Sequence, residues 1–237
     1  MQNLRETFET SCRVRVVESF EELIARRFEG DVNALCWRRQ LAGDFKEIVD
    51  CLEADAGITT VTDEALRALN LTAAGATARA VLLADQALLR AHDLAPTLDC
   101  IVGYPRDDGA GPVTTDVHSF HVDSAPVLAD TFLCTYLGAP SEGLPNEMAI
   151  RRVDIAETRA KLLQAHGGAD DAEFAAYLTE HCFDLHYAQL ADARPYCFGL
   201  GNLWRIAIAC PGSPVLPCIH RAPLTPIGSA ARLLLIS

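Results

Sequence analysis

Apolar side chains recur at helical spacing through most of the first hundred residues. Phe20, Leu23, Ile24 and Phe28 predict one face of a helix that Gly30 ends. Val32 to Trp37 is short, apolar and bounded by Gly30-Asp31, which predicts a strand. Phe45, Ile48, Val49 and Leu52 mark the face of a second helix. Thr62-Asp63-Glu64 supplies a cap and an acidic first turn for a third, running to Leu69. The alanine- and leucine-rich run from Thr77 to His92 is the clearest helix of the chain.

The pattern changes after Pro96. Short β-prone runs fall near Leu98 to Tyr104, Thr114 to Val122, Thr131 to Leu137 and Ala149 to Val153, separated by Gly/Pro/Asp loops. A polar, alanine-rich interlude from Ile155 to about His186 predicts two helices, parted at Gly167-Gly168. Strand patterns resume at Tyr196 to Phe198, Leu203 to Ala209, Val215 to His220 and Ala231 to Ile236. Short, evenly spaced strands imply a closed or sandwiched antiparallel sheet, and the cupin-like double-stranded β-helix is one such architecture. The expectation is an α+β fold in a single domain over 1–237. Residues 1–96 would form a mainly helical N-terminal layer, and 97–237 a jelly-roll core with a helical insertion at about 155–190.

Composition narrows the function classes. Half of the 237 residues are hydrophobic and 22% are charged, which suits a packed globular core. The net charge of −12 argues against nucleic acid or an anionic membrane as the main partner. No apolar run approaches the roughly 20 residues that cross a bilayer. The first residues lack a charged-then-apolar signal pattern, so a cytoplasmic location is expected. Nine scattered cysteines include no CxxC pair, which disfavours a thiolate zinc knuckle and fits reduced, buried thiols.

The chemistry concentrates in Phe120-His121-Val122-Asp123. Residues two apart on a strand leave the same face, so His121 and Asp123 point together. His220, ending a distant predicted strand, would complete two imidazoles and one carboxylate. That is the facial triad of non-haem Fe(II) oxygenases, with open coordination positions for substrates. His118 should face the other way; a bulge that returned it would give a three-histidine set favouring zinc. His92, His166, His181 and His186 fall on predicted helices or polar loops, where solvent-facing or capping roles are expected. The turn from Ala222 to Ser229 is expected to fold the last strand beside the one ending at His220. Arg232 would then lie near that histidine, able to grip a carboxylate. Arg152 is an alternative, and Arg221 should point to the opposite face. Phe120, Phe132 and Trp204, at strand spacing, are expected in the core.

The ordered motifs resemble a bacterial family. Val32-Asn33-Ala34-Leu35-Cys36-Trp37-Arg38-Arg39, Phe120-His121-Val122-Asp123, Leu133-Cys134-Thr135-Tyr136-Leu137-Gly138, His220-Arg221-Ala222-Pro223 and Arg232-Leu233-Leu234-Leu235 span nearly the whole chain. They look like a domain of unknown function with an FHVD–CTYxG–HRxP–RLLL pattern, which in turn is similar to the Fe(II)/2-oxoglutarate-dependent oxygenase superfamily. The resemblance implies His121, Asp123 and His220 as Fe(II) ligands and Arg232 as the anchor of the distal 2-oxoglutarate carboxylate. Thr135 or Tyr136 would hydrogen-bond that cosubstrate. It also implies O2 as a substrate, beside an unidentified small molecule or peptide. His220 to Arg232 is longer than the superfamily's usual spacing, with two prolines in the gap. Two rival readings share the scaffold. One is a zinc-type, non-redox metalloenzyme, which predicts that His118 or a cysteine joins the site; the other is a non-enzymatic metal-binding or homeostasis protein.

Overall fold

The structure is a computed structural model and describes residues 6–7, 11–104, 111–224 and 230–237. Fourteen strands and six α-helices form among these residues. In chain order they are β1 (Glu6–Thr7), β2 (Val14–Val17), α1 (Phe20–Ala25), β3 (Ala34–Trp37), α2 (Phe45–Leu52), β4 (Ile58–Thr60), α3 (Asp63–Ala68) and α4 (Ala73–Arg90). Then come β5 (Thr97–Ile101), β6 (Phe120–His121), β7 (Asp130–Leu137), β8 (Glu142–Leu144), β9 (Ala149–Arg151), α5 (Ala156–His166) and α6 (Ala172–Glu180). The chain closes with β10 (His186–Gln189), β11 (Tyr196–Cys197), β12 (Leu203–Ala207), β13 (Ile219–Arg221) and β14 (Arg232–Ile236).

The N-terminal helices start where side chains can cap them. Ser19, Asp44, Thr62 and Thr72 each accept hydrogen bonds from backbone N–H groups of the following turn. The first helix stops at Ala25 rather than near Gly30, because the chain is already extended at Arg26. The interlude after Val153 forms the two helices expected, with Asp171 capping the second.

The strands make two seven-stranded sheets. The first runs β1-β11-β8-β13-β6-β10-β9 and the second β2-β3-β12-β7-β14-β5-β4. All pairings are antiparallel except β1 with β11 and β2 with β3. The N-terminal part is therefore not a helical layer alone: β2, β3 and β4 complete the second sheet. Residues 114–119, expected in a strand, lie in a loop with a turn at 117–118 instead, and β6 shrinks to two residues.

Alternation assigns the faces. On β7, Phe132, Cys134 and Tyr136 join α1 to α4 in one hydrophobic cluster, with Leu35, Leu233 and Leu235 from neighbouring strands. Leu133, Ala34, Cys36, Trp204, Ile206 and Leu234 turn the other way and pack against Tyr196, Phe198 and Cys218 of the first sheet. Both faces of the second sheet are thus buried, each fully buried aliphatic or aromatic side chain contributing about 1.5–3 kcal/mol relative to exposure. Phe120, Val122, Leu144 and Ile219 form a separate cluster on the outer face of the first sheet.

β13 and β14 do not lie side by side, contrary to the sequence expectation. β13 pairs with β6 and β8 in the first sheet, whereas β14 sits between β7 and β5 in the second. The turn that joins them includes 225–229, outside the described residues. Gly138, with φ +83°, permits the crossing from β7. A Cβ there would lie 2.8 Å from the Ala231 carbonyl oxygen and 3.0 Å from the Arg232 Cα.

Candidate metal centre

His121 occupies the middle of a cross-strand row. On the one side it is in register with His220 of β13, and on the other with His186 of β10. Directly opposed residues of antiparallel strands share a face, so three imidazoles stand together. The His121 ring centroid is 4.7 Å from that of His220 and 5.6 Å from that of His186. Period-two alternation returns Asp123 to the same face. The Asp123 carbonyl accepts from the Ala209 N–H at 2.8 Å, which fixes the chain just past β6.

Hydrogen bonds pre-set each candidate ligand. His121 Nδ1 donates to the Ser119 carbonyl at 2.7 Å, and His220 Nδ1 to the Cys218 carbonyl at 3.3 Å. That leaves each Nε2 with its lone pair for a metal. Thr131 Oγ1 donates to Asp123 Oδ2 at 2.6 Å, while Asp123 Oδ1 lies 3.7 Å from His220 Nε2. One donor atom from each of His121, Asp123 and His220 lies within 4.8 Å of the others. This is a cluster able to chelate a metal ion, and its two nitrogens and one carboxylate oxygen fit a divalent first-row cation.

Electrostatics favour the metal-binding protonation states. Burial pushes the His121 pKa down to about 4, with the neighbouring His220 acting in the same direction. A neutral imidazole is the form that binds metal. Burial works against the Asp123 carboxylate, but His220, the Thr131 hydroxyl and His121 outweigh it and hold its pKa below the usual value. Beside the cluster opens a cavity of about 240 Å³, walled by His121, Asp123, His186, Leu185, Asp116 and Val117 among others.

Arg232 lies in the inter-sheet layer, on the same face of β14 as Leu234. Its guanidinium donates to three hydroxyls: Tyr104 at 2.6 Å, Thr135 at 2.9 Å and Ser141 at 2.6 Å. Nε is buried with no hydrogen-bond partner, and no carboxylate pairs with the group among the described residues. Burial lowers its pKa, partly offset by Tyr104. Thr131 and Thr135 share one face of β7, about 13 Å apart along the strand, so a single strand supports both Asp123 and Arg232.

Not every expected residue converges here. Tyr136 is on the opposite face of β7 from Thr135; its hydroxyl donates to Asp85 of α4 at 2.6 Å, away from Arg232. His118 packs edge-on to Tyr104, its Nδ1 3.2 Å from the Pro223 carbonyl, and is not in the ligand cluster. Arg221 faces outward, paired with Glu142 at 2.7 Å and stacked over Phe120. Phe120, Phe132 and Trp204 are core residues in three different clusters. His181 is an exposed helix cap, as expected. His186 is a correction: it is 4% exposed and sits on a strand next to His121, not on a polar loop. All nine cysteines are free thiols, and none joins the ligand set among the described residues.

Tyr104, Ser141, Ser119 and Thr131 were not legible as site residues. Only Thr131 carried a signal, since it stands four residues before Thr135 and so shares its strand face. Neither the sequence, compared with family models and curated proteins, nor the fold, compared with solved structures, gave a match. The family resemblance therefore rests on the motifs themselves.

Proposed function

We propose that this protein is a non-haem Fe(II)/2-oxoglutarate-dependent oxygenase built on a double-stranded β-helix, acting on a small molecule or peptide. One observation carries the reading. A His121/Asp123/His220 cluster and a buried guanidinium without an acid, Arg232, are attached to the same face of β7 through Thr131 and Thr135. A buried cation lacking a counter-charge is costly unless an anion arrives. An α-oxoacid that chelates a metal through one end presents such an anion at the other.

In this reading His121 Nε2, His220 Nε2 and one oxygen of Asp123 hold the iron. Ser119 and Cys218 keep the two rings in the tautomer that offers Nε2, and Thr131 holds the second carboxylate oxygen aside. Arg232 takes the distal carboxylate of 2-oxoglutarate, with Thr135, Ser141 and Tyr104 orienting the guanidinium. The bound iron and oxoacid supply O2 activation coupled to decarboxylation, yielding succinate and CO2. The cavity beside His121 and Asp123 receives the substrate, with Val117, Val122 and Leu185 as its apolar lining. The zinc reading called for His118 or a cysteine among the ligands, and neither is in the cluster.

The test is spectroscopic. Anaerobic protein loaded with Fe(II) and then 2-oxoglutarate is expected to develop the visible charge-transfer band of a chelated keto acid. Protein that binds Fe(II) yet shows no band on adding 2-oxoglutarate would end this reading.

A further inference from the structure

The cavity beside the ligand cluster is acidic. Among its described wall residues the carboxylates are Asp116 and Asp123, and no lysine or arginine joins them. Asp123 is committed to the metal in the proposed centre, where a dication balances it. Asp116 is the charge that remains. In a small recess the surrounding walls concentrate the field of such a group.

Asp116 is held in place by its own turn. Its Oδ1 accepts from the backbone N–H of His118 at 3.0 Å and of Ser119 at 3.2 Å, the pattern by which an aspartate fixes the turn it opens. The Ser119 carbonyl in its turn accepts from His121 Nδ1 at 2.7 Å. Asp116 and the candidate ligand are therefore tied together through the Ser119 peptide, and the fold sets their separation. The other oxygen is left over. Asp116 Oδ2 makes no hydrogen bond or ion pair among the described residues, although the residue is half-buried. Asp123 differs here, since Thr131 occupies its Oδ2. The mechanism proposed above does not use Asp116.

We infer that Asp116 anchors the primary substrate, and that this substrate is a small amine whose ammonium group sits against the Asp116 carboxylate. The inference rests on the proposed function for calling this ligand the substrate, and not for its binding. An ammonium group brings N–H donors to the oxygen that the turn leaves over, in a charge-assisted bond. A carboxylate or phosphate in the same cavity would meet like charge. An alcohol of the same shape lacks the charge, so the acid selects the amine. The cavity of about 240 Å³ restricts the ligand to a small molecule. The net charge of −12 draws cations to the whole surface; Asp116 adds a fixed point of attachment beside the metal ligands.

The experiment uses the full chain loaded with Zn(II) at neutral pH. Butylamine, cyclohexylamine and benzylamine are titrated by ligand-observed NMR, each beside the alcohol of the same carbon skeleton. At least one amine is expected to bind about tenfold or more tightly than its alcohol, the scale of a charge-assisted pair. Asp116→Asn keeps an Oδ1 acceptor for the turn and removes the charge, so it should erase that preference. Asp116→Glu should keep part of it. Asp55→Asn, which removes an exposed acid elsewhere, should keep all of it. No preference in wild-type protein, a preference that survives Asp116→Asn, or an equal loss in Asp55→Asn would overturn the assignment. Loss of Zn(II) from Asp116→Asn would make Asp116 a support of His121 and also overturn it. The keto-acid band, measured separately with Fe(II), tells the two readings apart. An Asp116-dependent amine preference without the band removes the oxygenase and leaves the amine site; the band without the preference does the reverse.

Discussion

Two buried arginines meet β7 from opposite faces, at adjacent residues, in opposite electrostatic states. On the helical side Arg39 reaches Cys134 at 3.4 Å and is neutralised by Asp85 at 2.6 Å, with the Gly201 carbonyl taking Nε. Burial is the largest single influence and would lower its pKa, but the Asp85 hydrogen bond, the Asp85 charge and the neighbouring Cys134 and Tyr136 together outweigh it and raise it. On the inter-sheet side Arg232 reaches Thr135 and finds only hydroxyls, so burial prevails and its pKa falls. The first is a closed network whose every charge has a partner inside the fold. The second is a charge the fold leaves open, held by the same face of β7 that supports the ligand cluster through Thr131. Incomplete pairing, more than burial or residue type, separates the site from the scaffold.

Five sets of variants or conditions would break or sharpen that contrast. The largest effect belongs to the ligands. His121→Ala and Asp123→Ala should each abolish Fe(II) binding by calorimetry, whereas His118→Ala should retain it; the reverse pattern refutes the ligand choice. Next comes the closed network. Asp85→Ala strands Arg39 and removes the acceptor of Tyr136, at a cost of about 3–5 kcal/mol. In a domain of this size that is a melting point about 10 °C or more lower. Arg232→Gln should do the opposite of Asp85→Ala. Its unfolding free energy should stay within about 1 kcal/mol of wild type, while 2-oxoglutarate binding weakens by about tenfold to a hundredfold. Equal destabilisation by the two variants would mean that Arg232 is merely structural.

Thr131→Val is a smaller perturbation. It removes the hydroxyl that holds Asp123 Oδ2 and should weaken metal binding by about tenfold or more, with little effect on folding. The remaining test is the effect of pH on the metal-free protein. His121 has its pKa lowered from 6.5 to about 4 on folding, so between those values the unfolded chain binds a proton that the folded chain does not. Stability must therefore fall as pH drops from about 6.5 to about 4 and stop falling from this source below that. The depressed Asp123 carboxyl acts in the same sense at lower pH. Chemical denaturation of wild-type and His121→Ala protein across this range checks the sign: the slope should shrink in the variant.

Local sequence carried more of the site than of the fold. The helices α2, α3, α4, α5 and α6 follow from spacing and caps that lie within a few residues of each other. The shared face of His121 and Asp123 follows from the two-residue period of a strand, which tolerates no other arrangement without a bulge. Thr135 and Tyr136 show where such reasoning ends. Alternation says that one faces each way, but both faces of β7 are buried, so hydrophobicity cannot tell the helical side from the inter-sheet side. His186 was missed because the polar, alanine-rich stretch before it reads as helix to its end. Its role depends on pairing with a strand 65 residues earlier in the chain.

The sequence by itself determined which residues could bind a metal, which pair of them must point together, and where most helices begin. Those are consequences of local geometry, written within a turn or a strand. Tertiary structure alone decided that His220 and His186 flank His121, that β14 inserts between β7 and β5, and that Arg232 is left with hydroxyls rather than an acid. Each of these is a long-range pairing, and strand register across a sheet is set by the burial of whole faces, not by the residues that happen to meet there.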